Sequence, residues 1–281
     1  MPGFDSSLYG DEVDKLVRAE VQTWDVGGVS PSHLEECIVT GADLGKIVYR
    51  HTSVETQVQI ALWTAVLVAI DNFDVDAAAT AEFAERFHIG QAQLHPLLDR
   101  LAGTLRRMHE FFHPHSAAII VSDSVQCVSC MVVDKENEER GSHPASIEYL
   151  TYKRLHNGLG DGYAYCVWDK LHFPDLSAFI QAIPETSLCF VYLNDLLSFY
   201  KEEVVGERAN FVHERARVTG KDVQAALMDT LNDTVDAVNR GRRILQDGPE
   251  RSAWEGFLEG YVVFHFMSPR YKLKQLFESS D

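Results

Sequence analysis

The amino-acid sequence predicts an all-α, single-domain helical bundle, and three observations carry that expectation. Long segments repeat apolar residues at helical spacing, and several are apolar on nearly every face, as befits helices enclosed within a large bundle. Only one run, "AAIIVSDSVQCVSCMVV" at 117–133, is rich enough in Ile and Val to read as strand, and a single strand makes no sheet. No Pro/Gly/Ser-rich linker, repeat or low-complexity tract divides the 281 residues, so one domain over 1–281 is the simplest organisation.

Taken in order, the helical segments are "DEVDKLVRAEVQTW" at 11–24 and "SVETQVQIALWTAVLVAI" at 53–70, then "QAQLHPLLDRLAGTLRRMHEFF" at 91–112. "LSAFIQAIPETSLCFVYLNDLLSFYKEE" at 176–203, "KDVQAALMDTLNDTVDAVNRGRRILQ" at 221–246 and "RSAWEGFLEGYVVFHF" at 251–266 follow. Several are long enough to span a domain. "NGLGDG", Asn157 to Gly162, interrupts a helical pattern, either as a break that brings backbone carbonyls toward a ligand or as a plain interhelical turn. It lacks the preceding strand and the spacing of a dinucleotide-binding loop.

With 42 acids against 25 bases the formal charge is −17, the wrong sign for a protein that grips a phosphate backbone, so no nucleic-acid partner is expected. An anionic small substrate fits only if metal ions or a few placed Arg and Lys stand between it and the acids. The five cysteines are odd in number and scattered, which predicts reduced thiols, and the Cys127-x-x-Cys130 pair in its apolar surroundings reads as buried thiols over a metal or redox site. The start of the chain shows no basic segment followed by an apolar run, and the longest apolar run, Ile60 to Ile70, is short for a membrane span. A cytosolic (cytoplasmic) protein with no stable membrane insertion is the expectation.

Two polar features stand out against the apolar helices. Asn194, Ser198 and Glu202 are spaced four apart and share one face of a helix. "AIDNFDVDAA" at 69–78 sets Asp71, Asn72, Asp74 and Asp76 just after the apolar helix ending at Ile70, where the helix dipole disfavours carboxylates unless a cation compensates. Both features supply only oxygen ligands, the set that hard divalent cations such as Mg²⁺ take. "DNFDVD" does not fit a calcium loop, because Phe73 occupies a ligand position and no Gly follows at the sixth. Each feature alone also reads blandly: a solvated loop, or polar groups satisfied by their own helix.

On these residues the chain resembles the class I terpene synthases, most closely the fungal trichodiene synthase group. "NDLLSFYKE" at 194–202 matches that family's N-x-x-x-S-x-x-x-E motif at every defining position, "YKRLHNGLGDG" at 152–162 resembles the segment bearing the diphosphate-sensing Arg, and "SPRYKL" at 268–273 resembles the C-terminal Arg-Tyr pair. The resemblance runs from Val54 to Leu273. It implies a bundle around a central active-site cavity in which Asp71 bridges two Mg²⁺ and Asn194, Ser198 and Glu202 hold a third. Arg154, Lys201, Arg270 and Tyr271 would bind the diphosphate. The aspartate motif departs from the family, with Asn72 and Val75 where Asp is usual, so Asp71 matches, Asp76 ligates or orients a water, and Asp74 is the weaker candidate.

The resemblance further implies Mg²⁺-assisted ionisation of an isoprenoid diphosphate, farnesyl diphosphate first and geranyl diphosphate as the alternative. A cyclic sesquiterpene formed through a bisabolyl cation follows, in an apolar and aromatic pocket that keeps water out. Trp63, Phe73, Tyr152, Phe190, Phe264 and Phe266 are the candidate walls, each also explicable as core. A homodimer is compatible with the family. Among competing readings, "HEFFH" at 109–113 fits the zinc motif H-E-x-x-H, although Pro114 disfavours helical geometry at His113. A prenyl chain-elongating enzyme would need a second Asp-rich motif where Asn, Ser and Glu stand, and a non-catalytic helical binding protein would not need the intact cationic and polar set.

Overall fold

The computed structural model describes residues 9–73, 75–137, 143 and 146–278, without the side chains of 135–137, 277 and 278; Asp74 lies outside them. Within them the chain is helical, and no strand occurs among the described residues. The helices are α1 (Glu12–Val21), α2 (Pro31–Asp43), α3 (Val54–Asn72), α4 (Ala77–His88), α5 (Pro96–Arg106), α6 (Pro114–Asn137) and α7 (Ile147–Asn157). They continue as α8 (Gly160–Tyr165), α9 (Ile183–Val205), α10 (Phe211–Thr219), α11 (Val223–Ile244), α12 (Pro249–Met267) and α13 (Leu273–Glu278).

The strand-like run at 117–133 lies inside α6. Its β-branched residues pack along a helix here, because contacts with α4, α7 and α8 outweigh intrinsic preference. Prolines punctuate the other segments: Pro96 sits in the first turn of α5 and Pro184 in that of α9, so 91–95 and 176–182 stay outside the helices drawn through them from periodicity. After α2 the backbone widens into a π turn, Leu44–Val48, which buries Lys46 between Asp14 at 2.8 Å and Asp43 at 2.9 Å.

The main core joins α3, α5, α6, α8, α9 and α12 through Trp63, Phe112, Trp168, Phe190, Trp254 and Phe257. Helix α3 is buried over most of its length, and Ser53 starts it by accepting from the Thr56 N–H at 3.2 Å. By length and composition α3 and residues 114–134 of α6 are apolar enough to cross a membrane, but Asp123 and Ser124 in the middle of α6 hold hydrogen bonds inside the bundle.

Small residues bring helices unusually close. A Cβ on Gly41 would sit 2.3 Å from the Ala61 carbonyl oxygen of α3, and one on Gly260 of α12 would sit 2.5 Å from that of Ile47. Gly41→Ala should therefore cost about 1–3 kcal/mol, since the obstacle is backbone. Gly256→Ala, on α12 with nothing within 4 Å of the added Cβ, should instead be neutral or stabilising by up to about 1 kcal/mol. Urea unfolding of the two variants reads the contrast.

Candidate active site

The acidic end of α3 and the polar row of α9 open onto one cleft of about 440 Å³. Its polar lining includes Asp71, Asp134, Arg154, Asn157, Asn194, Asp195, Glu202 and Glu207, and its apolar lining includes Ile70, Val75, Ala77, Met131, Val132 and Phe211. Among the described lining residues, five carboxylates thus face one guanidinium.

Helix α9 builds most of this wall. Asn194 and Glu202 line the cleft, while Ser198 between them is buried and donates its hydroxyl proton to Glu202 Oε1 at 2.5 Å. Burial pushes the Glu202 carboxyl up, opposed by that hydrogen bond and by Lys201. Gly206, at φ 75°, ends α9 in the left-handed conformation that glycine adopts without strain.

Arg154 of α7 is the cation of the cleft. Its Nε donates to both oxygens of Asp195, at 2.8 and 3.0 Å, while Nη2 donates to Asn194 Oδ1 at 3.1 Å and Nη1 to Asn157 Oδ1 at 3.4 Å. Burial pushes the Asp195 carboxyl up and the guanidinium pulls it back. Room for the guanidinium comes from Gly158, where a Cβ would lie 2.3 Å from Nη1.

The "NGLGDG" stretch is a break between helices. Helix α7 ends at Asn157, Leu159 turns through φ 55°, and α8 begins at Gly160. Asp123 of α6 clamps the break by accepting from the Gly162 N–H at 2.7 Å, with His156 Nδ1 3.6 Å from its other oxygen. Burial pushes its carboxyl up to about 7. A raised folded value means stability present below the unfolded value of 3.8 and lost as pH rises through 7. Between pH 6 and 8 the parent should lose on the order of 1 kcal/mol from this group. Asp123→Asn keeps an acceptor for Gly162 and does not titrate, so urea unfolding at the two pH values should show that loss removed.

The remaining residues singled out by sequence fall into two groups. Tyr271 is buried and carries Lys201 Nζ 5.9 Å from its ring centroid. Burial and the neighbouring Arg270 pull the Lys201 ammonium down, and Arg270 itself is exposed. These three stand near the α9 row without lining the cleft as it is shaped here. Asp76 is exposed and caps α4, its Oδ1 accepting from the Ala78 N–H at 3.3 Å, which is how this carboxylate is satisfied instead of facing the cleft.

None of the six candidate aromatic walls lines the cleft as it is shaped here. Tyr152 is 60% exposed and stacks on Tyr149, on the outward side of α7. Phe73 packs on the His33 ring, and Phe266 is half-buried against the core. Trp63, Phe190 and Phe264 are core: Trp63 donates to Ser124 Oγ at 3.1 Å, Phe190 stacks between Tyr163 and Tyr261, and Phe264 meets Tyr271.

The H-E-x-x-H reading also fails on geometry. His109 and Glu110 lie in a 3-10 turn, His109 Nδ1 bonds the Arg106 carbonyl, and Pro114 starts a new helix after His113, so the two His share no helical face. No three His, Cys, Asp or Glu side chains form a metal-holding group among the described residues, whereas the α9 row draws on Asn and Ser as well. All five cysteines are free thiols, and Cys127 donates to the Asn157 carbonyl.

Sequence reasoning missed Asp195, Asp134 and Asn157. Asp195 adjoins Asn194, and a carboxylate directly beside the polar row was the available signal. Asp134 accepts from Asn157 Nδ2 at 3.2 Å and from Lys153 Nζ at 2.9 Å, contacts that only the fold brings together.

An all-α bundle in which the end of α3 and the row of α9 share one acidic cleft is the architecture of a class I terpene synthase. A linalool/nerolidol synthase from Streptomyces clavuligerus, solved with 2-fluorogeranyl diphosphate, has this fold, with a TM-score of 0.71 over 90% of this chain and 97% of its own at 15% identity. The family model described as Trichodiene synthase (TRI5) matches residues 17–281, and the chain belongs to that family of terpene synthases. Monoterpene synthase 25 of Postia placenta is 37% identical over 94% of this chain and 80% of its own. The alpha-cuprenene synthase COP6 of Coprinopsis cinerea is 30% identical over 95% and 82%.

Proposed function

We propose that this terpene synthase ionises farnesyl diphosphate with Mg²⁺ and guides the cation to a cyclic sesquiterpene through a bisabolyl cation. One observation supports the metal requirement: among the described residues lining the cleft, the carboxylates of Asp71, Asp134, Asp195, Glu202 and Glu207 outnumber the cations, Arg154 with Lys153 on Asp134, so a diphosphate enters only with compensating cations. The donors fit a hard cation, since Asp71, Asn194, Ser198 and Glu202 offer oxygen only, and the Ser198 proton points at Glu202, leaving its lone pairs available. Asp71, Asn194, Ser198 and Glu202 would hold the three ions. Magnesium bound there supplies electrophilic polarisation of the departing diphosphate.

Arg154 is to receive the diphosphate through its forked donors, with Lys201, Arg270 and Tyr271 closing from the C-terminal side. Ile70, Val75, Ala77, Met131, Val132 and Phe211 hold the hydrocarbon chain away from water. The α-cuprenene relative supports a cyclic C15 product. The relative named as a monoterpene synthase supports geranyl diphosphate as the second reading.

Incubating the protein with each prenyl diphosphate and Mg²⁺, and analysing the extract by gas chromatography and mass spectrometry, decides between them. A cyclic C15 hydrocarbon from farnesyl diphosphate is expected. A product from geranyl diphosphate alone would move the assignment to C10.

A further inference from the structure

We propose that His265 is a positioning residue that sets which way round the Asn194 amide sits and so keeps its oxygen available to a cation, an inference resting on the metal-dependent reading above. His265 lies on α12, wholly buried, with Nδ1 2.8 Å from the Tyr261 carbonyl one turn earlier. A carbonyl only accepts, so Nδ1 carries the proton. The other ring nitrogen, Nε2, faces the Asn194 side-chain nitrogen at 3.3 Å and accepts from it. On its opposite side Asn194 presents Oδ1 to Arg154 Nη2 at 3.1 Å, and a guanidinium only donates.

Asn194 is thus held between an acceptor and a donor. Rotating the amide by half a turn would set its oxygen against the Nε2 lone pair and its N–H groups against the guanidinium, so both contacts would turn repulsive. Ring packing keeps the imidazole in register: Tyr261 and Phe264 meet it edge-on at 4.5 and 5.3 Å, and Tyr271 lies tilted against it at 4.2 Å. The consequence reaches the cleft, because the amide oxygen is the one atom of Asn194 able to ligate a hard cation. Partners behind metal ligands typically change affinity by about 10–100-fold when removed.

The test measures Mn²⁺ binding in the presence of inorganic diphosphate by electron paramagnetic resonance, on the parent, His265→Phe and His265→Gln, with thermal unfolding of each. Phe keeps the ring volume and loses the acceptor, while Gln offers an amide oxygen to Asn194. Expected is a loss of about tenfold or more in Mn²⁺ affinity for His265→Phe, largely recovered in His265→Gln. Parent-like binding by His265→Phe would overturn the inference while leaving the metal reading intact, and so would equal losses in both variants. Failure of the parent itself to bind would sink the metal reading and this inference with it. In a histidine-¹⁵N-labelled parent the resonance missing from His265→Gln should report the Nδ1–H tautomer; the Nε2–H tautomer would contradict the positioning role whether or not His265→Phe folds.

Discussion

Asp195→Ala is expected to cost the fold about 3–5 kcal/mol, because it leaves the Arg154 guanidinium buried without its carboxylate. The Arg154 Nε–H is shared between the two Asp195 oxygens, at 2.8 and 3.0 Å, and each side chain is largely hidden from solvent. Arg154→Ala should destabilise by a similar amount, since a lone buried carboxylate is no better tolerated. The combination Arg154→Met with Asp195→Leu, which replaces the pair by apolar groups, should recover most of the stability and still lose turnover by at least about 100-fold. Urea unfolding and a diphosphate-release assay on the singles and the double separate the two roles. A stable double variant that still turns over would remove Arg154 from the diphosphate site.

Glu202→Gln and Asp71→Asn should each lower turnover by about 10²–10³ or more while leaving the fold standing. Gln at 202 still offers an oxygen to the Ser198 hydroxyl, and it removes a carboxylate that burial already pushes up, so stability at pH 7 should hold or rise slightly. Asp71 is exposed at the end of α3, where the helix dipole opposes a carboxylate, so Asn there should also be tolerated. Circular-dichroism melts alongside turnover distinguish loss of the donor from loss of structure. Near-parent activity in both variants would contradict the ligand assignment.

How far the sequence alone reached can be traced residue by residue. The α9 row was legible because 3.6-residue periodicity turns a spacing of four into a shared face, and Asp71 was legible because a carboxylate at a helix C-terminus calls for a cation. Asp76 stood in the same acidic stretch as a ligand or a group orienting a water, yet the turn after α3 makes it the cap of α4, a role that depends on where that helix begins. The place of the aromatic candidates was hidden for a related reason. Composition marks Trp63, Phe190 and Phe264 as apolar, but their direction within the bundle is set by the stack of Tyr163, Phe190 and Tyr261 across α8, α9 and α12, which no local pattern encodes. Likewise, Ile and Val at 117–133 favour strand in isolation, and tertiary packing made the segment helical. Arg154 was found through its motif, while its partner Asp195 emerged only once α7 lay against α9.

On the proposed function, the acidic cleft becomes a diphosphate site when cations fill it. The most direct measurement is the rate of diphosphate release from farnesyl diphosphate as Mg²⁺ is titrated against a chelator, with geranyl diphosphate in parallel. Release that rises with Mg²⁺ and stops with chelator is the predicted result. Release independent of Mg²⁺, or none from either substrate at saturating Mg²⁺, would contradict it.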